Sequence, residues 1–198
     1  MAKPVNKHDG EHSIIGGRLL ILAAMEIVVV VLLAQHLYPN YSLNYNYISD
    51  LGVGSTAAIF NPGIIVFGAI LAFAAYFLFT ARKHRYMAIG FLVMGLGAMG
   101  VGLFPETTGW PHLLCAFITF GSAAVLALAY SRIFKGWTAV YSFVAGVVAL
   151  FMLFGFSFVL TGAHAIPGLG HGGIEEILFY DEIIWALVVG LYVATRRI

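Results

Sequence analysis

The run "GGRLLILAAMEIVVVVLLAQHLY", Gly16 to Tyr38, decides the fold. A helix that crosses a bilayer needs about 20 mostly apolar residues. This run has that length, and its only charged residues are Arg18 near the start and Glu26 inside it. Five further runs of the same kind follow, over 62–80, 86–104, 112–131, 137–160 and 174–195. The chain has 198 residues, 61% hydrophobic and 10% charged, with a mean hydropathy of +0.95. Soluble domains carry about 25% charged residues. The expectation is an all-α, polytopic membrane bundle of six transmembrane helices. Residues 1–15 read as a short cytoplasmic tail and 16–198 as a single transmembrane domain.

Charge placement orients the bundle. The 10 Lys and Arg residues fall before or at the start of span one, between spans two and three, between spans four and five, and at the C-terminal end. Lysine and arginine collect on the cytoplasmic side, so both termini are expected there, in a multi-pass protein of the cell membrane. Asp50, Glu106, Glu175, Glu176, Asp181 and Glu182 fall in the opposite half, together with His36, His112, His164 and His171. That half carries no Lys or Arg. It favours cations, protons or metal ions, whereas a net charge of +1 offers nothing to nucleic acid. Cys115 is the only cysteine, so no intramolecular disulfide forms.

Proline and glycine punctuate the connections. Asn61-Pro62-Gly63 reads as an N-cap followed by proline at a first helical position. Span two then starts at Pro62, and Ser55 to Phe60 form a short re-entrant segment before it. Phe104-Pro105 ends span three, and Pro111 starts span four with His112 in its first turn. A neutral imidazole is expected at that helix N-terminus, where a cation is disfavoured. The glycines of span three, "GFLVMGLGAMGVGLF" (90–104), read as close helix packing.

The last span opens on "GGIEEILFYDEIIW", Gly172 to Trp185. Glu175 and Glu176 read as interfacial residues that complement the helix N-terminus. Asp181 and Glu182 lie about 8 Å deeper by helical rise. Glu182 returns to the face of Glu175, while Asp181 points about 100° away. Glu26 sits near the middle of span one, where an ionisable side chain is costly unless it faces the bundle. Its two readings are a hydrogen-bonded structural group and a proton or cation relay.

The candidate site follows. Asp50, His112, Asp181 and Glu182 are the candidate catalytic residues, with Asn61, Glu26 and Trp185 as candidate substrate contacts. A His–carboxylate pair can act as base and orienter. His164, His171 and Glu106 are candidate ligands for a divalent ion such as zinc, although their spacing matches no compact metal motif.

Several short motifs in order, "YISDLG" (47–52), "FNPGI" (60–64), "GLFPE" (102–106), then His112, "GGIEEI" (172–177) and Trp185, resemble those of the family called domain of unknown function 998. More distantly, "ISD" is similar to the same element of DRAM-like six-helix proteins. The resemblance implies six spans with the motif residues on the outer side. It implies no activity.

Three function classes fit. The first is a membrane-embedded enzyme with an outward-facing acidic pocket that takes a lipid-like substrate. The second is a small transporter or proton/cation pathway that uses Glu26, for which a homo-oligomer is expected. The third is a non-catalytic subunit, sensor or lipid-binding protein in contact with membrane lipids.

Overall fold

A computed structural model describes residues 7–81, 84–159 and 168–195. It contains six long helices: α1 (Lys7–Leu37), α2 (Ala57–Thr80), α3 (Arg85–Leu103), α4 (Trp110–Ser131), α5 (Trp137–Val159) and α6 (His171–Thr195). Each is long and apolar enough to cross a membrane. Each helix packs on its neighbours in sequence, and α6 closes on α1, so the six form an up-and-down ring. α6 also touches α4. Both ends of the described chain lie at one end of the ring. The connections 38–56 and 104–109 and the start of α6 lie at the other, here called the distal end.

Lipid is the solvent for such a bundle, so the outward faces are apolar too. Leu22, Met25, Val29, Phe73, Val125, Phe151 and Phe154 are exposed. The interior is packed with small and medium side chains. A Cβ on Gly68 would strike the Gly95 carbonyl, and one on Gly95 would strike that of Gly68. The two backbones therefore meet, as expected for the glycines of span three.

The helix ends follow backbone chemistry. α3 ends at Leu103, two residues before Pro105, because Phe104, the residue preceding the proline, disfavours the helical region. Gly109, at φ 72°, lets the chain turn into α4, with Pro111 in the first turn. Two boundaries differ from the sequence expectation. α1 begins at Lys7, well before residue 16. α2 begins at Ala57 rather than Pro62, which lies inside the helix. Pro62 removes only the one bond to the Ala58 carbonyl, within the first turn and a half of the helix. The buried segment folded back against the bundle therefore begins earlier, at Ser49, and shares only residues 55 and 56 with the expected 55–60. It comprises two 3-10 turns, Ser49–Gly52 and Gly54–Thr56, with Ser49, Leu51, Gly52 and Thr56 buried.

Candidate functional site

The distal end is held by carboxylates that accept hydrogen bonds from neutral donors. The connection after α1 crosses the start of α6. Gly170 N–H donates to Asn44 Oδ1 (2.8 Å), and Gly173 N–H donates to the Asn44 carbonyl (3.3 Å). Gly172 permits this approach, because a Cβ there would collide with the Asn46 carbonyl oxygen. Glu175 Oε2 then accepts the Ile48 N–H at 2.8 Å. Glu176 Oε1 accepts from Gln35 Nε2 (2.7 Å) and the Tyr41 hydroxyl (2.9 Å). Asp50 Oδ2 accepts from Asn46 Nδ2 and Tyr47 N–H, both at 3.0 Å. The Ser49 hydroxyl donates to Glu106 Oε2 at 3.0 Å.

This arrangement corrects the expectation for Glu175 and Glu176. They are not water-facing cap residues; both are buried, at 6% and 7% exposure. They stand in the first turns of α6, where the first connection lies over them. The glycines at 170, 172 and 173 were the sequence signal for that contact. Gln35, Tyr41 and Ile48 carried no signal of their own.

The acids also act on one another. Burial, and then neighbouring Asp50, push the Glu106 carboxyl up to about 7. Burial and the charge of Glu176 raise the Tyr41 phenol. Burial, then Glu175, Glu106 and Asp50, raise that of Tyr47. Both hydroxyls stay protonated, and that of Tyr41 keeps its donor role toward Glu176.

Beneath this roof is a cavity of about 40 Å³. Room of that size holds a few waters. Most of its wall is apolar, from α1, α2, α3, α4 and α6. Its polar members are Ser49, His112, Thr119, Glu175 and Glu182. Glu175 and Glu182 share this wall because seven residues return a helix to nearly the same face. Glu182 is 3% exposed, and its Oε1 has no hydrogen-bond partner. His112 is buried in the first turn of α4, with Nδ1 2.8 Å from the Phe104 carbonyl. A carbonyl only accepts, so Nδ1 carries the proton, and the neutral ring has Nε2 as a free acceptor.

The other candidates lie elsewhere. Asp50 is not in the cavity wall; it holds the first connection. Asp181 is half-buried against Ala123, Ala124, Ala127, Ala145 and Ala149, in a space too small for water. Its Oδ2 lacks a partner. The trio Asp50, His112 and Asp181 therefore does not gather around one cavity, whereas His112, Glu175 and Glu182 do. Asn61 is inside α2, not at its N-cap, and Asn61 Nδ2 donates to the Gly52 carbonyl at 2.9 Å. Trp185 is a core residue: its indole N–H donates to Ser142 Oγ (3.1 Å), and its ring stacks on Phe91. Glu26 is half-buried with Oε2 unpartnered, and it does not line the cavity.

The metal candidates are dispersed as well. The His171 ring packs on Tyr47 at 4.5 Å, Glu106 accepts from Ser49, and His164 lies outside the described residues. Among the described residues, no three His, Cys, Asp or Glu side chains are placed to hold a metal ion.

A family model described as "Protein of unknown function (DUF998)" matches residues 21–192. The chain belongs to this DUF998 family. The match covers every residue of the cavity wall, from Ile27 to Ile183. It also covers the motifs at 47–52, 60–64, 102–106 and 172–177. No curated protein and no solved structure matches. Membership of DUF998 establishes kinship, the six long apolar helices give a multi-pass chain, and the chemistry has to be argued from the site.

Proposed function

We propose that this DUF998 protein is a multi-pass protein of the cell membrane that binds the polar end of a lipid-like molecule in its distal cavity. Its termini lie in the cytoplasm, and the cavity faces the extracytoplasmic side. The sidedness rests on the described basic side chains, Arg18, Arg85, Arg132 and Lys135, which lie toward the end that carries the termini. The binding reading rests on one observation: an apolar cavity whose few polar groups are His112, Glu175, Glu182, Ser49 and Thr119, with an unpartnered acceptor on Glu182. A buried acceptor without a donor is costly. A ligand hydroxyl or amine supplies that donor, and the apolar wall accommodates the carbon beside it. The present volume takes a small polar group, so a longer ligand enters only as the wall parts.

A second reading makes the protein an enzyme on that ligand. It is favoured by His112, whose Nδ1–H is fixed by the Phe104 carbonyl while Nε2 remains an acceptor. In that role Nε2 takes a proton from the bound hydroxyl or amine, and Glu182 stabilises the imidazolium formed. A transmembrane pathway has less support. The half of the bundle nearer the termini is packed with Leu20, Ala74, Leu78, Met87, Val189 and Val193, all essentially without exposure.

Both readings are tested on protein purified in lipid nanodiscs and incubated with fractionated membrane lipids. Native mass and thermal unfolding are read for wild type, His112→Ala and Glu182→Gln. A ligand at about 100 times its Kd stabilises by about 2.7 kcal/mol. Wild type is expected to retain and be stabilised by one lipid class, and the two variants are not. Retention that is equal in all three, or absent from wild type, overturns the binding reading. A bound lipid that wild type leaves chemically unchanged removes the catalytic one.

A further inference from the structure

A second concavity lies between α1 and α6 at the distal end and shares no wall residue with the cavity. It is an open groove of about 530 Å³. Sites for small molecules span roughly 300–1,000 Å³. Leu32, Leu43, Leu169 and Ile177 form much of its apolar wall, and Gln35 and Glu176 are among its polar members. Leu32, Leu43 and Ile177 are exposed at 52%, 58% and 38%, so the groove is continuous with the lipid-facing surface.

Glu176 sets the chemistry. It is 7% exposed, its Oε1 already accepts two hydrogen bonds, and its Oε2 has no partner. A carboxylate out of water needs a countercharge or a full set of donors. The described Lys and Arg side chains are Arg18, Arg85, Arg132 and Lys135. They belong to the opposite half of the bundle, so none faces Glu176. Its charged neighbours at the distal end are acidic. A phosphate or carboxylate headgroup would add an anion to this cluster, and an alcohol would supply a donor without a charge. A protonated amine supplies both.

We infer that the groove between α1 and α6 binds a free long-chain primary amine, with its ammonium on Glu176 and its alkyl chain along Leu32, Leu43 and Ile177. The ammonium donates to Oε2 and balances the carboxylate. The chain extends toward the surrounding lipid, where its apolar length has no cost of exposure. The site does not depend on what the cavity holds.

The full chain in phosphatidylcholine nanodiscs is titrated with hexadecylamine and read by native mass spectrometry. Hexadecanol, hexadecanoic acid and phosphatidylethanolamine serve as the matched arms. Hexadecylamine is expected to be retained in preference to all three. Its apparent affinity falls about tenfold or more in Glu176→Gln, the loss expected for a charge-assisted hydrogen bond. Ile177→Trp, which fills the groove from a surface position, is expected to do the same without disturbing Glu176. His112→Ala leaves amine binding unchanged, which separates this site from the cavity. The inference is overturned if Glu176→Gln and Ile177→Trp bind the amine as wild type does. It is equally overturned if hexadecanol or hexadecanoic acid binds as well, if phosphatidylethanolamine is retained instead, or if nothing is retained.

Discussion

Replacing Glu175 tests the idea that buried acids hold the distal end together. Its Oε2 accepts the Ile48 N–H at 2.8 Å, and Ile48 is only 4% exposed. Glu175→Gln keeps a carbonyl oxygen in that place. Glu175→Met keeps a similar volume but removes the acceptor and leaves a buried N–H without a partner. Both variants remove the carboxyl and the cost of burying it, so that term cancels between them. What remains is the unmade hydrogen bond, about 1–3 kcal/mol. For a chain of this size, each kcal/mol moves Tm by about 2–4 °C. Glu175→Met is therefore expected to melt roughly 2–12 °C below Glu175→Gln in the same detergent. The loss is local to the first connection, so amide exchange at Ile48 should be about 5–150-fold faster in the Met variant, while amides of the α2–α3 interface are unaffected. Equal melting of the two variants, or unchanged exchange at Ile48, would refute the role assigned to Glu175.

Two more outcomes follow from the same region. Glu106 has its carboxyl pushed up to about 7 from an ordinary value near 4.5, so the folded protein holds that proton more tightly than the unfolded chain does. Its stabilising contribution is complete below about 4.5 and is lost as pH rises through 7. Tm is thus expected to fall between pH 5 and 8, and less steeply in Glu106→Gln; identical slopes would remove Glu106 from the account. Gly172→Ala gains at most about 1 kcal/mol in helix propensity, but its methyl group meets the Asn46 carbonyl. Overpacking of this kind costs about 1–3 kcal/mol, so a net loss of Tm is expected, and a rise would show that the first connection does not rest on α6.

Some residues carried their meaning locally. Phe104-Pro105 and Pro111 marked the end of α3 and the start of α4 because proline restricts the residue before it and suits a first turn. His112 fell where that punctuation put it. Asn61-Pro62 misled for the same reason: a capping pair and a proline inside a first turn and a half look alike until the preceding chain is placed. Glu175 and Glu182 could be paired from their spacing alone. Glu175 and Glu176 could not be recognised as buried, because their partners are 127 to 141 positions away in the chain.

The sequence by itself therefore determined six apolar spans, their approximate limits and the separation of basic from acidic ends. Those properties follow from segment length, hydropathy and charge, which need no tertiary partner. Only the tertiary structure decided which acids meet. It set Glu175 and Glu182 on the cavity wall with His112, gave Asp50 to the first connection, left Asp181 among the alanines of α4 and α5, and placed Glu176 at the edge of the groove. The physical reason is that burial of a polar group depends on what chain lies over it, and here the covering segment comes from the other end of the sequence.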